Sequence, residues 1–289
     1  MRLTGRMSAL VSAADLLARP AGVLLDVQWE LSAPGEVRER PRGLEAYERA
    51  HLPGAHFVDL ESVLADPVRD DRVGGRHPLP DPGRVQSALR ALGVRQDSRI
   101  VVYDGGTGMS AARAWWVLRW LGLEQVQVLD GGLTAWREAG GEVTTAAPAT
   151  PEPSDVVLEP GALPTLDADS AANLARTGIL LDARAPERFS GQTEPLDPVA
   201  GHVPGAVNAP TTGNLGADGR FLPAADLRRR FAGLGADGTR EVGVYCGSGV
   251  TAAHELLALH EAGVKAMLYP GSWSDWTSDP ARPVASGID

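Results

Sequence analysis

The sequence is poor in the residues that carry most covalent and redox chemistry. Its 289 residues include one cysteine, Cys246, and one lysine, Lys265. One cysteine cannot form an internal disulfide or a thiolate metal cluster, and a single lysine makes Schiff-base chemistry an improbable interpretation. His254 and His260 are six residues apart, which is not a ligand spacing on one helix face, so we expect no metal site. Cys246 is therefore either a nucleophile or an inert buried thiol.

Long apolar runs and an excess of positive charge are also absent. The most apolar stretch, residues 111–123, contains Arg113 and Arg119 and falls short of the ~20 residues that cross a bilayer. Asp15 and Arg19 interrupt any signal-peptide core near the N-terminus. The net charge of −10 disfavours a nucleic-acid partner. We therefore expect a cytoplasmic protein that binds neither membrane nor nucleic acid.

The two halves of the chain repeat each other. Four blocks match in the same order, and the period is about half the chain, which indicates two duplicated domains rather than a short-repeat solenoid. The matched blocks are residues 23–27 with 179–183, 51–55 with 202–206, 100–106 with 242–248, and 131–136 with 271–276.

A proline-rich segment separates the two halves. It holds five prolines between residues 148 and 164 and few apolar residues, a composition typical of an extended linker that runs over the surface. We predict a first domain over residues 1–145, a linker over 146–165 and a second domain over 166–289.

Each half alternates short apolar runs with amphipathic ones. Strands this apolar, separated by helices, predict an α/β fold with a mostly parallel sheet that helices cover on both faces. In such sheets ligands gather at the carboxyl ends of the strands, and Cys246 comes at the end of one. In the second half we predict strands at 178–182, 242–245 and 265–269, and helices at 170–175, 226–234 and 252–261.

The loop after Cys246 has the composition of an anion cradle. A free thiol has a pKa of roughly 8.5, so only a few per cent is ionised at neutral pH. We expect backbone N–H groups from Gly247 to Thr251 to converge on the sulfur, and the following helix to add its dipole. Gly247 and Gly249 permit the backbone angles that such a loop needs, and Ser248 and Thr251 can add hydroxyl donors. The pattern favours a thiolate that could hold a second, anionic sulfur atom.

These motifs resemble a known family. The His-x-Pro-Gly-Ala motifs at 51–55 and 202–206, together with Cys-Gly-Ser-Gly-Val-Thr-Ala from Cys246, resemble the tandem-domain sulfurtransferases, the rhodanese and 3-mercaptopyruvate sulfurtransferase family, from about residue 11 to 283. The Gly-Ser-Gly of the loop is similar to the mercaptopyruvate branch, whereas thiosulfate-type enzymes have Arg-Lys-Gly there. The resemblance implies two rhodanese-like domains, of which the first is a catalytically silent copy. Asp104 stands in the first half where Cys246 stands in the second.

The resemblance also implies a set of site residues. Arg188 corresponds to a residue that binds the carboxylate or sulfonate of the sulfur donor, and no cofactor is needed because a persulfide carries the group. One position departs from the family pattern: a second arginine usually follows a Glu-Pro pair, but here Leu196 follows Glu194-Pro195. The implied catalytic residues are Cys246 and Ser248, and the implied persulfide-cradling loop is Gly247, Ser248, Gly249, Val250 and Thr251.

We therefore predict a sulfurtransferase that acts through a persulfide on Cys246. The donor is 3-mercaptopyruvate or thiosulfate, and the acceptor is cyanide, a small thiol or a reduced protein thiol. The loop has no cationic side chain, which modestly favours the singly charged carboxylate of mercaptopyruvate over thiosulfate, whereas the missing second arginine favours the opposite choice. A cysteine phosphatase would need an arginine six positions after the cysteine, where this chain has Ala252. A non-catalytic sulfur carrier or interaction module with the same fold is the remaining alternative.

Overall fold

The structure is a computed structural model that describes residues 8–30, 40–41 and 43–287. Two predicted domain limits, residues 1 and 289, lie outside this range. The described chain forms two parallel sheets with helices packed against them. The predicted α/β class and the predicted duplication are both confirmed.

The first half contains a five-stranded parallel sheet in the order β1-β5-β4-β2-β3. Its strands are β1 (Leu10–Val11), β2 (Val23–Asp26), β3 (His56–Phe57), β4 (Ile100–Tyr103) and β5 (Val126–Leu129). Its helices are α1 (Ala13–Ala18), α2 (Leu44–Arg49), α3 (Leu60–Val63), α4 (Pro82–Ala91), α5 (Met109–Trp120) and α6 (Gly132–Glu138).

The second half repeats this order in four strands, β7-β6-β8-β9, again all parallel. Thr165 forms a parallel bridge with Leu268 at the edge that β1 occupies in the first sheet. The strands are β6 (Ile179–Asp182), β7 (Val207–Asn208), β8 (Val242–Tyr245) and β9 (Met267–Leu268). The helices are α7 (Ala168–Thr177), α8 (Pro186–Phe189), a 3-10 helix (Thr211–Asn214), α9 (Ala224–Gly233), α10 (Val250–Ala262) and α11 (Ser272–Trp276).

The central strands β4 and β8 explain where each site is built. Every residue of Ile-Val-Val-Tyr in β4 and of Val-Gly-Val-Tyr in β8 is buried, as expected for strands covered on both faces. Each strand ends in a short glycine-rich loop that enters a helix, α5 after β4 and α10 after β8. The loop of each half therefore lies at the carboxyl edge of its sheet.

Helices α5 and α10 join the two halves. They pack against each other, and both are buried along most of their length. Small residues such as Ala111, Ala112, Ala252 and Ala253 face this junction or the sheets, and they belong to one apolar core that continues through both halves. The packing brings the N-terminal end of each helix beside the helix of the other half.

The proline-rich segment is more closely packed than its composition indicates. Val156 and Leu158 are buried in the common core, and the Ser154 amide donates to the carbonyl oxygen of Arg90 at 2.9 Å. A polar composition predicted a surface path, but two apolar side chains are enough to anchor the segment on α4. Within the described residues, no helix combines the length and apolarity that spanning a bilayer requires.

Candidate active site

Cys246 lies where the sequence analysis expects it, directly after β8. The N-cap of α10 is Gly249, with φ of 81°, and the helix begins at Val250, two residues before the predicted start at residue 252. The Cys246 side chain is 1% exposed, yet it lines a pocket of about 380 Å³. The thiol therefore belongs to the common apolar core and also lines the pocket. Both halves contribute to the wall, which includes Trp29, Arg76, Arg188, Leu196, Ser248 and Thr251.

Two groups approach the sulfur atom. The Gly249 amide donates to Cys246 Sγ at 3.1 Å, and the Ser272 hydroxyl lies 4.0 Å from Sγ. Ser272 also accepts the Cys246 amide at 3.1 Å and has φ of 56°, a strained conformation for a non-glycine residue. Among the described residues, Gly249 is the single member of the predicted Gly247–Thr251 amide set that hydrogen-bonds the thiol. The helix N-terminus adds positive potential at the same place.

Gly249 is required where it stands. A Cβ at this position would lie 2.5 Å from the Pro270 carbonyl oxygen, far inside van der Waals contact. The positive φ adds a backbone penalty for any other residue. The turn that aims the Gly249 amide at the sulfur therefore depends on the missing side chain.

The equivalent loop of the first half holds a carboxylate. Asp104 Oδ1 accepts the amides of Gly106 and Gly108, each at 2.9 Å. Its Oδ2 accepts the Ser110 hydroxyl at 3.2 Å and the Ala111 amide at 3.3 Å. Gly108 is the N-cap of α5 with φ of 73°, matching Gly249. The same strand-loop-helix frame thus binds an anion in the half that has no thiol.

Ser248 is held by a histidine from the other half. His77 Nδ1 lies 2.8 Å from Ser248 Oγ, across 171 residues of sequence. Burial, together with the nearby charges of Arg113 and Arg76, lowers the pKa of His77 to about 3. The imidazole is therefore neutral at physiological pH, and the edge of Trp29 packs against it with ring centroids 5.4 Å apart.

Arg188 lies on the pocket wall, where the sequence resemblance expects it. Its Nε and Nη2 bind the two oxygens of Glu194 at 3.1 and 2.6 Å, and Nη2 also lies 3.4 Å from Asp197 Oδ2. Arg184, four residues earlier, is bound to Asp182 at 2.6 Å and to Glu194 at 3.3 Å, with its side chain 1% exposed. Arg184 is thus fully engaged in ion pairs, whereas Arg188 is partly exposed to the pocket.

Two basic residues meet the N-terminal ends of α5 and α10 in a pseudo-symmetric way. Arg113 and His254 each lie five residues after an N-cap glycine. Arg113 Nη1 is 3.5 Å from the Gly249 carbonyl oxygen, and the His254 ring lies 3.4 Å from where a Cβ on Gly108 would be. The loop that carries Cys246 therefore faces the Arg113 cation. Burial lowers the pKa of His254 to about 3, so the loop that carries Asp104 faces a neutral imidazole.

Arg113 is unusual among the buried groups. It is 0% exposed, and its guanidinium donates to the carbonyl oxygens of Leu64, His77 and Pro78 at 3.0 to 3.3 Å. Within the described chain no carboxylate pairs with it. Burial lowers the pKa of Arg113 to about 10, and the electrostatic interaction with Cys246 opposes that shift.

Sequence reasoning missed Arg76, His77 and Arg113. All three belong to the first half and reach the site only through the packing of the two halves, so no local spacing indicates them. The sole available signal was the polar pair Arg76-His77 within a loop of glycine and proline. In the described part of the chain, no cluster of three or more His, Cys, Asp or Glu is placed to hold a metal ion.

The model of the rhodanese-like domain matches this chain twice, over residues 12–139 and 167–279. A Pseudomonas aeruginosa protein named "Probable 3-mercaptopyruvate sulfurtransferase" is 49% identical, with 96% of this chain and 98% of that protein covered. A Mycobacterium tuberculosis protein named "Putative thiosulfate sulfurtransferase SseB" is 45% identical, with 99% of each chain covered.

A solved structure agrees with the sequence matches. The crystal structure of the 3-mercaptopyruvate sulfotransferase SseA from Escherichia coli superposes with a TM-score of 0.77 at 32% identity, covering 93% of this chain and 100% of that one. The family match, the full-length relatives and the superposed structure all indicate a sulfurtransferase with two rhodanese-like domains. The chain belongs to the rhodanese family, as a sulfurtransferase with two rhodanese-like domains.

Proposed function

We propose that this protein transfers sulfur from 3-mercaptopyruvate to a thiol acceptor through a persulfide on Cys246. The observation that carries the proposal is the pair of equivalent loops. In the first domain the loop binds the Asp104 carboxylate through backbone amides, and in the second the same frame presents Cys246 Sγ to the Gly249 amide at 3.1 Å. A loop built to hold an anion suits a thiolate and a persulfide anion.

The first half-reaction loads the enzyme. The Cys246 thiolate attacks the sulfur of the donor HS-CH2-CO-COO⁻, an S–S bond forms, and the C–S bond breaks. The C–S electron pair becomes the enolate of pyruvate, which takes the proton carried by the transferred sulfur. Thiolate and mercaptopyruvate thus give the persulfide anion Cys-S-S⁻ and pyruvate, with charge conserved. The Gly249 amide and the dipole of α10 stabilise the anion before and after transfer.

We propose that Ser248, oriented by His77, transfers the proton. The hydroxyl is a pocket-wall group hydrogen-bonded to an imidazole at 2.8 Å. Because His77 is buried and uncharged at neutral pH, it can orient the hydroxyl without adding a competing cation. We assign Ser248 the transfer of the proton from the transferred sulfur to the enolate carbon.

The second half-reaction unloads the enzyme. An acceptor thiolate attacks the outer sulfur of the persulfide, the S–S bond breaks, and the Cys246 thiolate returns. A small thiol, a reduced protein thiol or cyanide can each supply the nucleophile. We place the protein in the cytoplasm, since a reducing compartment keeps both Cys246 and an acceptor thiol reduced.

The charges at the pocket support mercaptopyruvate over thiosulfate as the donor. The names of the relatives include both substrates. Here Glu194 and Asp197 already offset part of the positive charge of Arg188, and the loop from Cys246 to Thr251 has no cation. A dianion is costlier to desolvate than a monoanion, so a nearly neutral site favours the single carboxylate.

Intact mass spectrometry tests the proposal. We expect wild-type protein incubated with 3-mercaptopyruvate to gain about one sulfur atom, to lose it to cyanide or dithiothreitol, and to release one pyruvate per sulfur. Cys246→Ser should show no mass gain and no pyruvate release, and thiosulfate should react with at least about tenfold lower kcat/KM. A persulfide that forms but passes to no acceptor would support a sulfur carrier instead, and the absence of any mass gain would refute the proposal.

A further inference from the structure

We propose that His254 and Glu255 are positioning residues for the donor. From behind the pocket they fix a wall segment, residues 210–212, against α10, and ionisation of Glu255 loosens that contact. The inference deepens the proposed function and rests on it for the identity of the donor. Neither residue belongs to the set of site residues that the sequence resemblance implies.

Helix α10 carries both the sulfur loop and the anchor of the wall segment. Its N-cap, Gly249, donates to Cys246 Sγ, and His254 and Glu255 follow in the second turn of the helix. The wall segment lines the pocket together with Cys246 and continues into the 3-10 helix, Thr211–Asn214, which packs against α10. A shift of the wall segment relative to α10 therefore changes the shape of the pocket.

Two side-chain contacts connect the 3-10 helix to α10. Thr211 Oγ1 lies 2.7 Å from His254 Nδ1, and Asn214 Nδ2 donates to Glu255 Oε2 at 2.6 Å. Asn214 Nδ2 also lies 3.3 Å from Thr211 Oγ1, which joins the two contacts. All four side chains belong to buried residues, so bulk water does not compete for these hydrogen bonds. The wall segment is thus fixed by a small buried polar network.

Arg230 of α9 holds the same segment from another side. Its Nη2 donates to the Pro210 carbonyl oxygen at 2.8 Å, and its Nε donates to Asn214 Oδ1 at 2.9 Å. Asn214 therefore has its amide nitrogen bound to α10 and its amide oxygen bound to α9. The position of the wall segment depends on both helices.

Few charged groups act on Glu255. Arg230 attracts its carboxylate from α9, and the neighbouring His254 is uncharged because burial lowers its pKa to about 3. Helix α5 also packs against α10, but its Arg113 faces the Gly249 carbonyl oxygen. The strands β8 and β9 bring no charged residue. The protonation of Glu255 is therefore decided mainly by burial against the charge of Arg230.

Ionisation of Glu255 would leave a buried charge with too few donors. Among the described residues, Glu255 Oε1 is buried and has no hydrogen-bond partner. A neutral carboxyl group tolerates this at lower cost than a carboxylate does. Burial raises the pKa of Glu255 to about 7, although Arg230 and Asn214 oppose the rise. The observed contacts therefore suit the protonated form, and above about pH 7 the carboxylate must gain a donor by displacing the 3-10 helix.

The KM for 3-mercaptopyruvate at pH 6 and pH 8.5 tests the inference in the active enzyme. We expect the wild-type KM to rise at least about fivefold between these two values, because donor binding is coupled to protonation of Glu255. Glu255→Gln keeps a neutral side chain of the same shape at both values, so its KM should rise by less than about twofold. Both proteins contain Cys246, so the ionisation of the thiol cancels in the comparison.

Two further variants separate the network from the rest of α10. Thr211→Val removes the hydroxyl that contacts His254 and leaves Glu255 ionisable. We expect it to raise KM by about 2- to 10-fold at pH 6 through the loss of one hydrogen bond, with kcat unchanged. Glu261→Gln changes another glutamate of α10, which accepts the Ala9 amide at 2.7 Å. This control should keep the wild-type KM and its rise with pH.

Hydrogen exchange of residues 211–214, measured by mass spectrometry, tests the wall segment without turnover. Comparing wild type with Glu255→Gln at the same pH cancels the chemical dependence of exchange on pH. At pH 8.5 we expect these amides to exchange at least about fivefold faster in wild type than in Glu255→Gln, because local opening becomes easier. At pH 6 the two proteins should exchange at the same rate.

The outcomes distinguish the inference from the proposed function. If the exchange difference appears but no sulfur is transferred, the positioning role stands and the proposed function falls. If sulfur transfer is normal, differences in both KM and exchange are required at pH 8.5. A difference in KM alone would be a through-space effect of charge, and a difference in exchange alone would be a movement that the donor does not sense, so either would overturn the inference. An equal change at both pH values would also overturn it, since that result is expected of a glutamate that only stabilises the fold.

Discussion

Alanine at Gly249, compared with alanine at Gly108, measures how much the sulfur loop contributes to catalysis. Both glycines are helix N-caps with positive φ, 81° and 73°, so each substitution costs about 1–2 kcal/mol of backbone strain. At Gly108 the nearest atom to the new Cβ lies at an ordinary 3.4 Å, in the His254 ring. At Gly249 the new Cβ would lie 2.5 Å from the Pro270 carbonyl oxygen, so the loop must move.

That movement takes the Gly249 amide away from the sulfur. A hydrogen bond to a charged group contributes about 1.5–3 kcal/mol, and 1.4 kcal/mol is a factor of ten in rate. We therefore expect Gly249→Ala to slow persulfide formation by about 10- to 100-fold and to lose more stability than Gly108→Ala, which should keep wild-type turnover. Urea unfolding and single-turnover pyruvate release give the two numbers. If Gly249→Ala reacts at the wild-type rate, the assignment of this amide to the sulfur is refuted.

The remaining predictions concern the buried charges. His77 and His254 have a pKa lowered to about 3 in the folded protein. Below about pH 6.5 these histidines are protonated in the unfolded chain but not in the folded chain, so the free energy of unfolding falls as the pH falls. Glu255 has its pKa raised to about 7. Between pH 4.5 and pH 7 it is protonated in the folded chain but ionised in the unfolded chain, so it makes the free energy of unfolding rise as the pH falls. The two histidines together outweigh Glu255 by about one proton. Urea unfolding should therefore show the free energy of unfolding rising by up to about 1.4 kcal/mol per pH unit from pH 4.5 to pH 6.5, and more steeply in Glu255→Gln. A free energy of unfolding that does not change over this pH range would contradict the prediction. Asp104→Asn should lower the free energy of unfolding in urea by about 1–3 kcal/mol without slowing sulfur transfer. A slower enzyme would contradict the prediction that this loop takes no part in catalysis. Arg113→Met should slow persulfide formation at least about tenfold and shift its pH–rate profile towards alkaline pH, whereas an unshifted profile would limit Arg113 to a structural role.

The architecture was predictable because its signals are local or repeated. The apolar runs that become β6 and β8 and the amphipathic run that becomes α10 can be read within a few residues, and the structure confirms each within a few positions. The internal repeat predicted two similar sheets, and both have the same strand order. The strand β9 was predicted too long, at 265–269 against Met267–Leu268, because only these two residues pair with β8.

The site was only half predictable, for a physical reason. Cys246, Ser248 and the loop glycines lie within six residues of one another, so their spacing in sequence is also their arrangement in space. His77 is 171 residues from Ser248 and Arg76 is 121 residues from Asp197. Their positions are set by the packing of one half on the other, which no local pattern encodes.

The first domain has Asp104 where the second has Cys246, yet it contributes residues to the wall of the pocket. The packing of α5 against α10 gives each loop one residue from the opposite helix, and the duplicated positions have diverged in charge. Arg113 contacts the loop of Cys246, and the uncharged His254 contacts the loop of Asp104. In the proposed reaction a sulfur anion with few hydrogen-bond donors benefits from a nearby positive charge, whereas Asp104 is already satisfied by four hydrogen bonds. A copy that only filled space would not need a buried arginine without a carboxylate partner, because burying such a charge is costly. The position of that arginine against Gly249 therefore argues that both domains act as one catalytic unit.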